Sequence, residues 1–275
     1  MANSVLIPTL VIGAGAWGSA LAIAMARNGH EVLLWGRNTD HLKAMQQSHS
    51  NERYLPNVPF PASLEVVTDL AQAVQHAKHV LVSVPSSAFS GMLETIKPML
   101  KPGTPISWAT KGLTPDTGRF LYDTAADILG ENHPLAVISG PSFAMEVAKD
   151  LPTAMTVASK DPAFFQDLAA AMHRPTLRVY TTSDVQGVQV GGTVKNVLAI
   201  GAGISDGLGY GANARAALIT RGMAEILRFA ASLGAETETM IGLSGVGDVI
   251  LTCTDNQSRN RQLGLAIGRG LTVEQ

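Results

Sequence analysis

Cysteine and charge are both scarce in this 275-residue chain, and each shortage excludes a class of protein. Cys253 is the single cysteine, so no intramolecular disulfide can form and a reducing compartment is expected. The 20 basic and 22 acidic residues give no polyelectrolyte signal for nucleic acid or an anionic membrane surface. No apolar run approaches the roughly 20 residues that span a bilayer, and no leader pattern precedes Pro8. These features predict a cytoplasmic protein.

Metal ligands are also sparse. The seven histidines are scattered, and we interpret the close pair His76 and His79 as a solvated helix end rather than a metal site. No metal is predicted. Cys253 is expected to be a small buried hydrophobe rather than a nucleophile. Apolar residues, by contrast, make up 46% of the chain, which is enough for about two compact domains.

A glycine-rich turn follows the first predicted strand, Thr9–Ile12, and precedes a helix predicted from Ser19 to Asn28. The turn matches the G-x-G-x-x-G pattern between a strand and a helix, which predicts dinucleotide binding with the phosphates at the helix amino end. Its first glycine would permit a tight turn, the second would admit the pyrophosphate, and the third would let helix and strand pack. The alternative is a set of glycines that only makes a turn. The residues concerned are Gly13, Gly15 and Gly18.

The second predicted strand, Glu31–Trp35, ends without the acidic residue that usually binds the ribose hydroxyls of NAD. Arg37 stands nearby and could bind a 2′-phosphate, so NADP(H) is favoured, with NAD(H) as the alternative cofactor. Arg37 could equally be a surface arginine at a strand end.

Polar residues follow two later strands of the same predicted sheet. Lys111 comes after the strand near Ile106, and Ser142 comes after Leu135–Ser139 in a Gly-Pro turn whose following amides could bind an anion. Because the carboxyl ends of parallel strands share one edge, we expect a substrate-binding site there. The alternative is that Lys111 is a solvated loop lysine. The pattern predicts an α/β fold, with a Rossmann-type, mostly parallel sheet domain in residues 1–183 and an all-helical substrate domain in residues 184–275.

Lys195 is the single charge inside the apolar, glycine-rich run of the stretch Gly187–Asp206. In a helix its neighbours three, four and seven residues away are small or apolar, so the ammonium would point into a packed face. A buried lysine suits proton transfer, whereas a lysine that extends to the surface along its own stem is the alternative. Gly191 and Gly192 could leave room for substrate and nicotinamide.

Asp248 is likewise the single charge in its apolar run, and Lys195 is its expected partner. The alternative is that Asp248 only caps a helix. A polar cluster follows at 255–261, in which Ser258, Arg259 and Asn260 supply donors suited to phosphate. The same cluster could be a solvated connector.

Six segments together closely resemble bacterial NAD(P)-dependent glycerol-3-phosphate dehydrogenases, and the likeness spans nearly the whole chain. The segments are 13–18, 108–112, 138–144, 191–196, 204–215 and 251–260. The resemblance implies reversible, NAD(P)H-dependent reduction of dihydroxyacetone phosphate to sn-glycerol 3-phosphate for phospholipid synthesis, with Lys195 transferring the proton. It implies substrate contacts at Lys111, Gly140, Ser142, Lys195, Asp248, Ser258, Arg259 and Asn260. It implies cofactor contacts at Ala16, Trp17, Arg37, Lys111, Ala144 and Arg259, beside the three glycines.

The resemblance also implies more chain than is present here, since family members continue beyond Gln275 through further helices; a truncated helical domain is therefore expected. A homodimer is expected if the apolar faces of the two long helices pack against a second subunit rather than against each other. Two other functions stay open at this point: reduction of a different phosphorylated or acidic ketone, and a non-catalytic NADP sensor. Lys195, Asp248 and Arg259 argue against the sensor, which needs no proton donor.

Overall fold

The computed structural model describes residues 8–272, so the predictions about the leader and about the chain end at Gln275 lie outside the described residues. The chain forms two compact units. Unit 1 comprises Met1–Ile138 and Phe143–Ser183, and unit 2 comprises Ser139–Ser142 and Asp184–Gln275. The units divide near the predicted domain boundary except at Ser139–Ser142. That each unit is an independently folding domain stays a prediction.

Unit 1 is built on an eight-stranded sheet in the order β3-β2-β1-β4-β5-β6-β7-β8. The pairings from β3 through β6 are parallel, as is the pairing of β7 with β8. The central strands are buried along their whole length, as expected for a parallel sheet covered on both faces. The predicted Rossmann-type fold is therefore confirmed. The strands are β1 Thr9–Ile12, β2 Val32–Trp35, β3 Leu64–Val66, β4 His79–Val82, β5 Ile106–Trp108, β6 Leu135–Ser139, β7 Thr153–Ser159 and β8 Leu177–Thr182.

Short polar residues fix where several helices of unit 1 begin. Asn38, Asp69 and Asp161 each accept a hydrogen bond from an amide in the first turn of the helix that follows, which satisfies donors that the helix itself leaves unpaired. The helices are α1 Ala16–Arg27, α2 Thr39–Ser48, α3 Leu70–His76, α4 Ser86–Ile96, α5 Leu121–Leu129, α6 Ala144–Ala148 and α7 Pro162–Met172.

From Asp184 onward the described residues form helices and no strand, which confirms the all-helical second part. Helices α8 and α12 pack so closely that a Cβ atom on Gly203 would overlap the Arg261 carbonyl oxygen, and one on Gly264 would overlap that of Ile200. Glycine is required at these two crossings because backbone meets backbone. The elements are α8 Val185–Gly207, α9 Gly211–Ser232, α10 Thr237–Ile241, a π-helical turn Leu243–Gly247, α11 Asp248–Thr254 and α12 Arg259–Gly268.

The expected solvated helix end is right for His76 and wrong for His79. His76 ends α3 and pairs with Glu31 at 2.7 Å, whereas His79 is fully buried in β4, with its ring nitrogens near Thr9 Oγ1 and Ser107 Oγ. The error arose because His79 starts a strand rather than ending the helix. Within residues 8–272, no three His, Cys, Asp or Glu side chains gather closely enough to hold a metal ion.

Of the helices in the described part of the chain, none has the length and apolar character needed to cross a membrane.

Candidate functional site

The three glycines after β1 serve three different purposes. Gly13 has a φ of 121°, and a Cβ atom there would overlap the Ser83 carbonyl oxygen. A Cβ atom on Gly18 would overlap the Gly13 carbonyl oxygen, so this glycine lets α1 pack against the turn. At Gly15, by contrast, a Cβ atom would meet nothing within 4 Å. Gly13 and Gly18 are therefore required by packing, whereas Gly15 faces open space that a phosphate could use.

Helix α1 begins at Ala16, three residues earlier than predicted, because Gly15 occupies the cap position. Gly15 has no side chain that could cap the helix, so the first amides of α1 receive no bond from the cap residue. Trp17 lies in this first turn. Asn51, which the sequence analysis missed, supports the loop: its Nδ2 donates to Ala14 O at 3.1 Å and to Ser19 Oγ at 2.7 Å.

The other predicted cofactor residues of unit 1 follow its strands or begin a helix. Arg37 is exposed two residues beyond β2, and Lys111 is partly buried three residues beyond β5. Ala144 is the first residue of α6, which packs against α1. Arg37 and Lys111 lie at carboxyl ends of parallel strands, where ligands bind in open α/β sheets. Their contacts with a cofactor stay predictions.

The central feature of unit 2 is a buried ion pair between Lys195 Nζ and Asp248 Oδ1. Lys195 is 9% exposed and Asp248 is 1% exposed. The lysine therefore does not extend to solvent, and that alternative is wrong. The predicted pairing of these two charges is confirmed. Burying two charges is costly unless they pair, so this arrangement preserves an ammonium in an otherwise apolar helix face.

Asp248 is the first residue of α11 and not its cap, since Gly247 holds the cap position. It follows directly on the π-helical turn, a rare element that is frequent at functional sites. Gly191 of α8 lies against this turn, and a Cβ atom on it would overlap the Ser244 carbonyl oxygen. The expectation that Gly191 leaves room for substrate is therefore wrong: its small size lets α8 approach the turn. For Gly192 the same expectation stays a prediction.

The segment Ser139–Ser142 belongs to unit 2. Gly140 has a φ of 138°, and Ser142 Oγ donates to the Gly140 carbonyl oxygen at 3.2 Å. Pro141 lies against Gly247, with 3.5 Å between the proline Cγ and the place a Cβ atom would take. This segment therefore lies beside the start of α11 and hence near Asp248. Phe143 occupies the cap position of α6 and makes no side-chain cap, and the anion hole expected from the amides after Ser142 stays a prediction.

The polar cluster at 255–261 divides into a partly exposed connecting turn at 255–257 and the capped start of α12, so the connector alternative holds for its first three residues. Ser258 is buried at the cap position and accepts a hydrogen bond from Arg261 N at 3.2 Å. Asn260 Nδ2 donates to Asn196 Oδ1 at 2.8 Å, and Asn196 is the residue that follows Lys195 in α8. Arg259 is exposed on the same turn. The structure thus brings together residues that are more than 60 positions apart in sequence.

Cys253 lies near this cluster and is fully buried, as predicted. Burial raises the pKa of the thiol to about 11, even though the charges of Lys195 and Arg261 act in the opposite direction. A thiol held protonated in this way is a poor nucleophile. Sequence reasoning missed Asn196, which adjoins Lys195, and Arg261, which closes the polar cluster at 255–261.

Comparison with known proteins supplies the family context. A family model described as NAD-dependent glycerol-3-phosphate dehydrogenase N-terminus matches residues 8–165, and its C-terminal counterpart matches residues 184–275. The glycerol-3-phosphate dehydrogenase [NAD(P)+] of Idiomarina loihiensis is 56% identical over 266 residues, which cover 96% of this chain and 80% of that protein. The protein of the same name from Aeromonas salmonicida is 55% identical, covering 100% and 82%. The crystal structure of glycerol-3-phosphate dehydrogenase from Coxiella burnetii matches with a TM-score of 0.94 and 48% identity, covering 98% and 82%.

Proposed function

The chain belongs to the NAD-dependent glycerol-3-phosphate dehydrogenase family, and we propose that its buried Lys195–Asp248 pair catalyses the reaction of that family. The reaction is the reversible, NAD(P)H-dependent reduction of dihydroxyacetone phosphate to sn-glycerol 3-phosphate, a precursor of glycerophospholipids. The ion pair is the observation on which the proposal rests. It holds a proton donor in an otherwise apolar surrounding, beside a carboxylate that keeps it in place.

The residues after β1 fit a dinucleotide. Gly13 adopts the positive φ that the tight turn requires, and Gly15 borders open space. The first turn of α1 has no side-chain cap. Uncapped amides at a helix amino end bind phosphate, because the amides donate hydrogen bonds and the helix dipole is positive there. When bound, NAD(P)H supplies the hydride for the ketone carbon.

Lys195 stabilises the oxygen of the ketone as negative charge develops on it and then donates a proton from Nζ. General acid catalysis of this kind accelerates a reaction by roughly 10²–10⁴-fold. Asp248 holds the ammonium in place through the Nζ–Oδ1 contact, and its own position is set by the start of α11. In the reverse direction Lys195 accepts the proton of the alcohol.

The first turn of α12 binds the substrate phosphate. Arg259 is exposed there, and Asn260 connects the turn to α8 one residue from Lys195. An arginine can bind two phosphate oxygens at once, which fixes the substrate's orientation as well as its charge. Lys111, Gly140, Ser142 and Ser258 complete the proposed set of substrate contacts. Arg37 makes NADP(H) the preferred cofactor, and we place the enzyme in the cytoplasm as a homodimer.

The experiment follows the absorbance of NADPH with dihydroxyacetone phosphate as substrate. We expect oxidation that depends on this ketone and that reverses with sn-glycerol 3-phosphate and NADP. Glyoxylate and pyruvate, which are acidic but carry no phosphate, serve as controls and should not be reduced. Equal rates with these controls, or no turnover with the phosphorylated ketone, would contradict the proposal.

A further inference from the structure

Arg261 is a buried arginine whose guanidinium has three acceptors, each in a different element. Its Nε donates to the Cys253 carbonyl oxygen at 3.0 Å, its Nη1 donates to Asn256 Oδ1 at 2.6 Å, and its Nη2 donates to Asp206 Oδ2. The residue is 6% exposed. Cys253 lies at the end of α11, Asn256 lies in the turn that follows, and Asp206 lies in α8. Arg261 therefore links these three parts of unit 2 from one position in α12.

The contacts of Arg261 hold residues 253–258, the segment that precedes the proposed phosphate site. Cys253 and Asn256 precede Ser258, and the backbone amide of Arg261 donates to the Ser258 hydroxyl that caps α12. The conformation of residues 253–258 is therefore fixed by the guanidinium and by the cap together. Arg259 lies within the same turn of helix, so its direction depends on where that turn is held.

A planar guanidinium is the group that this geometry requires. It presents donors in fixed directions and can satisfy three acceptors at once, whereas a lysine ammonium is a point charge on a flexible stem. The same carboxylate oxygen, Asp206 Oδ2, also accepts from Arg215 Nη1 of α9 at 2.6 Å. Arg215 shares the partner of Arg261 but lies outside residues 253–258, which makes it a matched control.

We propose that Arg261 is a positioning residue for substrate binding: it holds the turn from Ser258 to Asn260 in the conformation in which Arg259 meets the substrate phosphate. The inference rests on the proposed function for the identity of that substrate. Arg261 itself is buried and does not touch the ligand. Its effect on catalysis passes through Arg259 and Asn260.

The test compares Arg261→Lys with Arg215→Lys, which keep the positive charge at each position. Arg261→Lys should raise the KM for dihydroxyacetone phosphate about tenfold or more, because small misplacements of binding groups are costly, with a smaller change in kcat. Arg215→Lys should leave this KM within about twofold of the native value. Calorimetric titration with inorganic phosphate should show the same difference, and melting temperatures report how much each substitution destabilises the fold.

A double-mutant cycle with Arg259→Ala separates positioning from general destabilisation. If Arg261 acts through Arg259, then Arg261→Lys should cost little further in KM once Arg259 is absent. The inference would be overturned if the KM increases caused by Arg261→Lys and Arg259→Ala multiplied in the double variant. It would also be overturned if Arg261→Lys and Arg215→Lys raised the KM equally. Failure of the native enzyme to reduce dihydroxyacetone phosphate would instead refute the proposed function, and the phosphate titration would still decide the role of Arg261.

Discussion

Each unit contains a buried polar cluster, and the two clusters differ in charge although they are buried to a similar degree. In unit 1, His79 lies in the middle of the sheet, with its ring nitrogens near Thr9 and Ser107 on the two neighbouring strands. Burial lowers the pKa of His79 to about 3, and the nearby charge of His30 adds to the effect. In unit 2, Lys195 and Asp248 form an ion pair that is almost as deeply buried.

The difference lies in what surrounds each cluster. His79 is enclosed by strands and packs edge-on against Phe164, with its partners inside the sheet, so it is neutral and structural. Asp248 of the ion pair instead follows directly on a π-helical turn, and Pro141 packs beside Gly247, the residue that precedes Asp248. Burial alone therefore does not indicate function. A buried charge becomes a candidate catalytic group when it adjoins an irregular element of the kind that is frequent at functional sites, such as this π-helical turn.

The largest expected effect comes from Lys195→Ala, which should lower kcat with dihydroxyacetone phosphate by roughly 10²–10⁴-fold, the range for a lost general acid. Lys195→Arg is the control, because arginine keeps the positive charge but does not release its proton in proteins. It should retain substrate binding while losing most of kcat. A variant at Lys195 with near-native kcat and unchanged KM would show that this cluster is as structural as that of His79.

A smaller effect is expected from pH on the His79 cluster. The pKa of His79 is about 3 in the folded state and 6.5 in the unfolded state, so the unfolded state binds a proton first as the pH falls. The contribution of neutral His79 to the stability of the fold is therefore complete above pH 6.5 and is lost as the pH falls towards about 3. Between about pH 7 and pH 5 the free energy of unfolding should fall by about 2 kcal/mol from this residue.

Chemical denaturation at the two pH values measures this loss, with His79→Gln as the comparison. His30 and His133, whose pKa values burial also lowers, contribute in the same direction, so the variant should remove part of the dependence. At pH 7 the variant should keep native kcat in spite of its lower stability. A large loss of kcat would assign His79 a role in catalysis and remove the contrast between the clusters.

The smallest expected effect concerns Arg37. Arg37→Ala should raise the KM for NADPH about tenfold and leave that for NADH unchanged, because one charge-assisted contact with the 2′-phosphate is lost. Lys43→Ala, which removes another exposed cation of unit 1, should change neither value. Steady-state kinetics with both cofactors makes the measurement. A native preference for NADH that Arg37→Ala leaves untouched would contradict the assignment.

Sequence reasoning predicted the features that local patterns determine. The glycine turn between β1 and α1, the parallel strands and the long helix around Lys195 all follow from spacing and hydrophobicity within short windows. The pairing of Lys195 with Asp248 was also predictable, because each is the single charge in an apolar run. The local environment of His79 was not, since its contacts come from strands that are distant in sequence.

The part of the site that sequence did not predict depends on contacts between distant residues. Arg261 was counted within a polar cluster, and only the fold shows that its guanidinium turns inward to Asp206. Gly191 seemed to leave room for a ligand, whereas it admits the backbone of the π-helical turn. In both cases the residue type was informative, but the neighbour that explains it lies more than 50 positions away.

The central claim is that Lys195 and Asp248 act as one catalytic unit, and a double-mutant cycle tests it most directly. The rate of NADPH oxidation with dihydroxyacetone phosphate is measured for Lys195→Ala, Asp248→Ala and the double variant. If the aspartate works only by holding the ammonium, the double variant should have about the same kcat/KM as Lys195→Ala alone. Losses that multiply in the double variant would show that the two residues act independently and would contradict the account.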